Sequence, residues 1–252
     1  MPLEVGKWLP IDIHIHTGLS PCAEDDMSPW NIVRMALLEG LHLIAITDHN
    51  TVANCGAVIS VGGKLGLTVL PGMEVQTQEE VHLIAIFPTL EAAIAFENFI
   101  WQYLPPLSNQ ASIFGNQILY NEKDEQIGLM DRLLLQSVEM GIEDVGKAIM
   151  EFEGLIVASH VNRRAYSLIG QLGFVPPALP LDAVEIDSAF PLEQFHKEYG
   201  QLQEYPVLRN SDAHRLYDLV GWSRSELFLE APDFQGIREV LRSKDLKRIR
   251  IR

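Results

Sequence analysis

The chain has 252 residues, with 34 Asp and Glu against 19 Lys and Arg, a formal net charge of −15. That balance argues against the basic faces that wrap long nucleic acid or hold anionic membranes. No apolar run nears the ~18 residues of a membrane span, and two cysteines are too few for a disulfide scaffold. The first residues lack a basic stretch followed by an apolar one, so no leader is read and a cytoplasmic location is expected.

Short β-type runs alternate with helical patterns along the chain. Residues 11–16 read as a strand. Ser28-Pro29 opens a helix whose apolar face is Ile32, Val33, Ala36 and Leu37, and Gly40 closes it. Residues 43–47 form a buried-type strand, followed by a helical stretch that ends near the glycines at 62, 63 and 66. Two further strands are predicted at 68–75 and 81–87, then a helix at 91–104 stopped by Pro105-Pro106. Strands follow at 155–159, 183–187 and 207–211, with a last short one at 227–229. Helical patterns cover 142–152, 191–204 and 233–242. The alternation predicts a parallel sheet with crossover helices, and at this length an α/β barrel in one domain over 1–252. Residues 105–140 break the pattern and read as an insertion, either an irregular lid or a small hairpin.

Eight histidines stand at 14, 16, 42, 49, 82, 160, 196 and 214. All but His42 and His196 fall in or at the end of a predicted strand. The two-residue spacing of His14 and His16 in DIHIHT puts both on one strand face. His49 ends ITDHN, Glu74 ends a strand, His160 follows LIVAS, and Asp212 and His214 stand in NSDAH. His82 lies early in its strand rather than at the end. Side chains at the C-terminal ends of barrel strands converge on one mouth. Imidazole with carboxylate is the ligand set of zinc, manganese or iron.

DIHIHT, ITDHN, the Glu74 segment, ASH and NSDAH, in this order from about residue 11 to 214, resemble the motifs of the PHP (polymerase and histidinol phosphatase) superfamily. The resemblance implies an α/β fold, a distorted seven-stranded TIM-like (β/α) barrel. It also implies two or three divalent metals, and hydrolysis of phosphate esters or, in some members, nuclease activity. Carried over by position, one metal would be held by His14, His16, Glu74 and Asp212. A second would share Glu74 and add His82 and His160. A third would use His49, His214 and one residue of the loop GLSPCAEDD. Relatives often carry SDG or a histidine in that loop; here Cys22 stands six residues after His16, with Glu24, Asp25 and Asp26 as alternatives.

Two or three cations would support attack on phosphorus by a metal-bridging hydroxide, with Asp212 and His214 as the groups nearest for proton transfer. Asp12 and Asp48 are placed to accept the outer ring N–H of a ligating histidine, although Asp48 also reads as a turn residue. Arginine matches phosphate oxygens with its planar fork. Arg163, Arg164 and Arg215, beside predicted ligands, are the candidate phosphate contacts, with Arg209 in the strand before Asp212. Glu185 and Asp187 either bind substrate hydroxyls or cap the next helix, the second reading being slightly favoured. Asn162 is a supporting group or a loop cap. Phe114 and Phe190 read as stacking residues or as core.

The expected activity is a metal-dependent phosphoesterase acting on a small phosphorylated molecule, with no long nucleic acid and no membrane as partner. The competing readings are a metal-holding PHP module without catalysis, a short-substrate exonuclease, and a hydrolase of the amidohydrolase kind. The last usually depends on a mid-barrel lysine or glutamate, and no predicted mid-barrel strand carries a lysine. No heptad marks an oligomer interface.

Overall fold

The computed structural model describes residues 6–221 and 224–251. In chain order its strands are β1 (Lys7–Ile15), β2 (Leu43–Ile46), β3 (Thr68–Gln76), β4 (His82–Ile86), β5 (Ile118–Tyr120) and β6 (Gln126–Leu129). Then come β7 (Leu155–Ala158), β8 (Ala183–Ile186), β9 (Val207–Arg209), β10 (Ser225–Leu229) and β11 (Ile249–Ile251). Nine of them form one sheet in the order β11-β10-β1-β2-β3-β4-β7-β8-β9. The seven from β1 to β9 in that order curl into a barrel. Just past β9 the chain returns to β1, where Ala213 bridges Ile15 and the His16 N–H donates to the Ala213 carbonyl at 3.0 Å. β10 and β11 extend the sheet antiparallel beyond β1.

The period-2 alternation of each strand sorts side chains into two layers. Leu43 and Ala45, Ile84 and Ile86, Leu155 and Val157, with Leu70, Ala183 and Leu208, form the inner cluster. Ile44 and Ile46, Leu83 and Ala85, Ile156 and Ala158 pack outward under the helices. The helix Phe234–Ser243 joins the inner cluster through Phe234, Ile237, Val240 and Leu241, the three-and-four spacing of one helical face. Asp233 caps this helix by accepting the Gly236 N–H at 2.8 Å.

One expectation fails. β4 is not parallel to its neighbours; it runs antiparallel to both β3 and β7. The reason is the connection. Only residues 77–81 separate β3 from β4, and a parallel crossover needs about a dozen residues or more. The reversal brings the start of β4 to the end of the barrel where β3 and β7 finish. His82, early in its strand, thereby lies at the same mouth as the other histidines.

Of the two readings of 105–140, the hairpin is the one observed, β5 with β6. It is tied down firmly. The Ile118 N–H donates to the Gly18 carbonyl at 2.8 Å. Asn54 donates to the Ile118 carbonyl and accepts from the Tyr120 N–H, each at 3.0 Å. Farther on, Asn50 donates to the carbonyls of Leu134 and Gln136, each at 2.8 Å. The insertion is thus a wall against the loop after β1 and against the segment that carries His49.

Ile84, fully buried in the inner cluster, and Leu38, 80% exposed on a helix, test this layering. Ile84→Ala is expected to cost about 2–5 kcal/mol through lost contacts and a cavity. Leu38→Ala is expected to stay within about 0.5 kcal/mol. Urea unfolding of both variants measures the difference.

Candidate metal centre

Glu74 sits at the middle of the mouth, 1% exposed. Its Oε1 lies 3.2 Å from His14 Nε2, 3.1 Å from His82 Nδ1 and 3.5 Å from His160 Nε2. Its Oε2 lies 3.5 Å from His16 Nε2 and 3.2 Å from His49 Nδ1. Asp212 Oδ1 approaches His14 Nε2 at 3.2 Å and His16 Nε2 at 3.3 Å. The His16 and His214 rings stack at 4.2 Å. Each of the six segments picked out in the sequence therefore delivers its side chain to one place. His42 and His196 lie outside it, exposed.

The ring nitrogens facing away from Glu74 are largely occupied. The Nδ1–H of His16 donates to Ser20 Oγ at 2.9 Å, because the Ser20 hydroxyl itself donates to Asp48 at 2.8 Å. His82 donates its Nε2–H to Gln76 Oε1 at 3.2 Å. His14 Nδ1 meets both oxygens of Glu185 at 3.0 Å. These bonds select the tautomer whose lone pair points at Glu74. A lone pair about 3 Å from a carboxylate oxygen repels it. Among the described residues, His49 Nδ1, His82 Nδ1 and Glu74 Oε1 are buried without a hydrogen bond. Orphaned polar atoms converging on one point are what a cation satisfies.

Spacing agrees with this. Tetrahedral ligation at ordinary zinc distances puts ligand atoms about 3.4 Å apart. His14 Nε2 and His16 Nε2 are 3.2 Å apart, and their contacts to Glu74 and Asp212 run from 3.2 to 3.5 Å. Further sets within reach of one ion are His16, His49 and His214, and His49, Glu74 and His82. His49 belongs to both, so it stands between two of the expected metal positions rather than at one.

The protonation states carry the same message. Burial opposes the charge of Glu74, yet His82 and His14 hold its pKa well below the usual carboxylate range. Burial likewise opposes Asp212, and His14 and His16 keep it ionised. Burial disfavours a charged His14, but Glu185, Asp212 and Glu74 raise its pKa well above the ordinary imidazole value. Burial and the neighbouring His214 push His16 down to about 4, and burial with His16 pushes His49 well down. His160 and Asp212 hold left-handed backbone, with φ of 29° and 50°. Non-glycine residues there cost about 1–3 kcal/mol, a strain that clusters at functional sites.

The supporting groups differ from those expected. Asp12 bonds no ring; it accepts the backbone N–H of His14 and of Ser211, each at 3.2 Å. Burial pushes its pKa up to about 6. Asp48 does not bond His49 but takes the Thr17 N–H and hydroxyl, each at 2.7 Å, and the Ser20 hydroxyl. Glu185 caps no helix and stands behind His14. Asp187 accepts from Asn162 at 2.8 Å and pairs with Arg163 at 2.6 Å.

Two connected spaces open from the mouth. An inner chamber of about 270 Å³ is lined by Glu74, His49, His82, His160, His214, Gln76, Leu135 and Tyr166. An outer cleft of about 660 Å³ is lined by Glu24, Ser188, Ser211, Arg215, Tyr217 and Asp218. Cys22, Arg163, Asp212 and His214 line both. Arg163 spans Asp212 and Asp187 at 2.6 Å each. Arg215 lines the cleft but is paired with Asp218 at 2.8 Å. Arg164 is exposed and lines neither space, since adjacent residues of a turn project to different sides. Arg209 bonds the Phe190 carbonyl. Phe190 packs on Tyr199, and Phe114 lies on the insertion outside both spaces. Desolvation and the charges of Glu74 and Asp212 push the Cys22 thiol up to about 12. Cys22, Glu24, Asp25 and Asp26, like Asp212 and His160, fall in none of the metal-capable groups among the described residues, and Asp25 is bonded by Asn116. Tyr166, stacked on His82 at 4.9 Å, was not singled out in the sequence, where nothing marks it.

If these atoms hold divalent ions, Zn²⁺ at 100 times its dissociation constant is expected to stabilise the stripped protein by about 2.7 kcal/mol. Thermal melts with added Zn²⁺, reversed by a chelator, measure this.

No family model matches the chain. Among curated proteins it is 26% identical over 192 residues to the uncharacterized protein YqxK of Bacillus subtilis, covering 72% of this chain and 43% of YqxK. Among solved structures it resembles the lesion-specific endonuclease EndoQ of Pyrococcus furiosus, with a TM-score of 0.71 and 19% identity. That match covers 97% of this chain and 58% of EndoQ. A protein assigned as a metal-dependent phosphoesterase, from Bifidobacterium adolescentis, matches with a TM-score of 0.59 and 20% identity, covering 92% of this chain and 95% of that one. The chain thus spans less than two thirds of YqxK and of EndoQ. At 19% and 20% identity these likenesses are of fold, and they give the chain a PHP-like barrel.

Proposed function

We propose that the chain is a metal-dependent phosphoesterase acting on small phosphorylated molecules. The observation that carries this reading is Glu74, whose two oxygens stand between separate sets of imidazoles. His14, His16, Glu74 and Asp212 would hold one ion, and Glu74 with His82 and His160 a second. His49 and His214 would serve a third. When bound, divalent ions supply activated water near neutral pH and neutralise charge on phosphoryl oxygens.

The chain's own residues do the rest. Glu74 meets His14, His82 and His160 through Oε1 and His16 and His49 through Oε2, so one carboxylate ties the two proposed positions together. His214 is the most accessible histidine of the cluster, its side chain 25% exposed, and lies where chamber and cleft meet. It donates its Nδ1–H to the Asp212 carbonyl at 2.8 Å. That leaves Nε2 for one of two roles, ligand of the third ion or proton transfer to the leaving oxygen at the cleft side. Arg163, between chamber and cleft, offers the fork for a phosphate. Leu135 and Tyr166 add apolar surface to the chamber wall.

Charge supports a small substrate. The arginines of the cleft are already matched by Asp212, Asp187 and Asp218, and the chain is at −15 overall. A long polyanion finds no surplus positive charge there. EndoQ is a lesion-specific endonuclease, and a short-substrate nuclease is the competing reading. Steep loss of activity with rising salt would favour it; a phosphatase of small molecules is expected to change little.

The direct test combines elemental analysis with hydrolysis of an aryl phosphate before and after chelation. The expected result is about two or three metals per chain, with activity lost on chelation and restored by manganese or zinc. Metal without turnover on a panel of phosphate esters would point instead to a non-catalytic module. Less than one metal per chain after reconstitution would overturn the reading. Asp212→Asn and His14→Ala are each expected to lower activity beyond the roughly 10–100-fold typical of losing a ligand's supporting partner.

The arginines separate in the same assay. Arg163→Ala is expected to raise KM for the phosphate ester, whereas Arg164→Ala leaves KM unchanged. Steady-state kinetics of the two variants decides whether the phosphate meets Arg163.

A further inference from the structure

Glu185 makes the least expected link across the barrel. It lies on β8, 171 residues from His14, and is 1% exposed. Both its oxygens meet His14 Nδ1 at 3.0 Å. Oε1 also accepts the backbone N–H of His160 at 3.1 Å. Oε2 accepts from Asn210 Nδ2 at 2.7 Å. The orientation of Asn210 is itself fixed, since its Oδ1 accepts the Ile13 N–H at 3.1 Å. Three donors from three segments therefore converge on one carboxylate.

This arrangement does two things at once. It fixes the ring of His14 with its proton on Nδ1, so that Nε2 faces Glu74 and Asp212. It also anchors the backbone of His160, whose φ of 29° needs holding. His14 and His160 serve different positions in the proposed centre. Their rings stand 6.1 Å apart. A carboxylate behind a ligating histidine sets the tautomer and orientation of the ring.

We propose that Glu185 is a positioning residue for the metal centre, fixing His14 and His160 together so that two cation positions keep one geometry. This rests on the metal-dependent reading above. Its chemistry is specific to a carboxylate. In Glu185→Gln the amide must turn its NH₂ toward either the His160 N–H or the Asn210 NH₂. A donor then faces a donor in a site where Glu185 is only 1% exposed.

The experiment is titration of metal-stripped protein with Zn²⁺ against a chelating indicator. Glu185→Gln is expected to bind Zn²⁺ roughly 10–100-fold more weakly while keeping its circular dichroism spectrum. In a His14→Ala background the same substitution is expected to cost much less, because Glu185 acts largely through His14. Asn210→Ala keeps both partners and removes one anchor; its loss is expected to be smaller than that of Glu185→Gln. It also serves where Glu185→Gln does not fold. In the Zn²⁺-loaded wild type, ¹⁵N NMR is expected to show His14 protonated at Nδ1. Equal Zn²⁺ affinity in the wild type and the folded variants, or full additivity with His14→Ala, overturns the proposal. A wild type that binds Zn²⁺ without hydrolysing phosphate esters overturns the phosphoesterase reading and leaves this one standing. A wild type that binds no Zn²⁺ overturns both.

Discussion

A single carboxylate, Glu74, is buried among imidazoles with one of its oxygens left without a hydrogen bond. Removing an ion from water costs several kcal/mol even after the protein relaxes. That cost is met only if positive charge comes close, and the whole mouth of the barrel is arranged around that need. β1, β3 and β4 carry their side chains to it directly. The chain segments after β2, β7 and β9 bring His49, His160 and Asp212 with His214, two of these positions in left-handed backbone. A second tier of Ser20, Gln76 and Glu185 then turns the rings so that lone pairs face inward. The outer layer of aliphatic side chains under the helices is the scaffold that holds these tiers still.

Much of this was legible before any coordinates. The ligand candidates are marked by chemistry and by position at strand ends, both of which are local properties of the chain. His14 and His16 share a strand face by spacing alone. The direction of β4 was readable too, because five residues cannot form a crossover, yet the regular alternation of strands and helices suggested a parallel sheet throughout. What could not be read were partnerships across the barrel. Glu185 meets His14 only because β8 faces β1 through the interior, and no pattern in AVEID records that. Asp12 and Asp48 were placed correctly near the mouth. Their bonds go to backbone and hydroxyls because those groups lie closer than the rings. Arg163 and Arg164 are the same residue type side by side, and only the turn after His160 decides which one enters.

On the proposed reading, the outer cleft of this acidic protein would receive an anion. Its arginines are not free charges awaiting a ligand. Arg163 is held between Asp212 and Asp187, and burial, which opposes its charge, is outweighed by these two carboxylates. A phosphate at Arg163 would have to compete with Asp187 for one arm of the fork while the other arm stays on Asp212. Such a cleft is selective by shape and by hydrogen-bond geometry rather than by net attraction.

The way the barrel closes has a consequence for how the protein comes apart. Its first strand and the segment after β9 are joined by bonds between Ser211 and His14 and between Asn210 and Ile13, each spanning 197 residues. They are also the segments that carry His14 and His16 on one side and Asp212 and His214 on the other. Any opening large enough to part the ends of the barrel therefore divides the cluster into two incomplete halves. Local breathing of the hairpin or the helices leaves it whole. An ion held across this junction would act as a reversible cross-link closing a very long loop, and its departure would be tied to global rather than local unfolding.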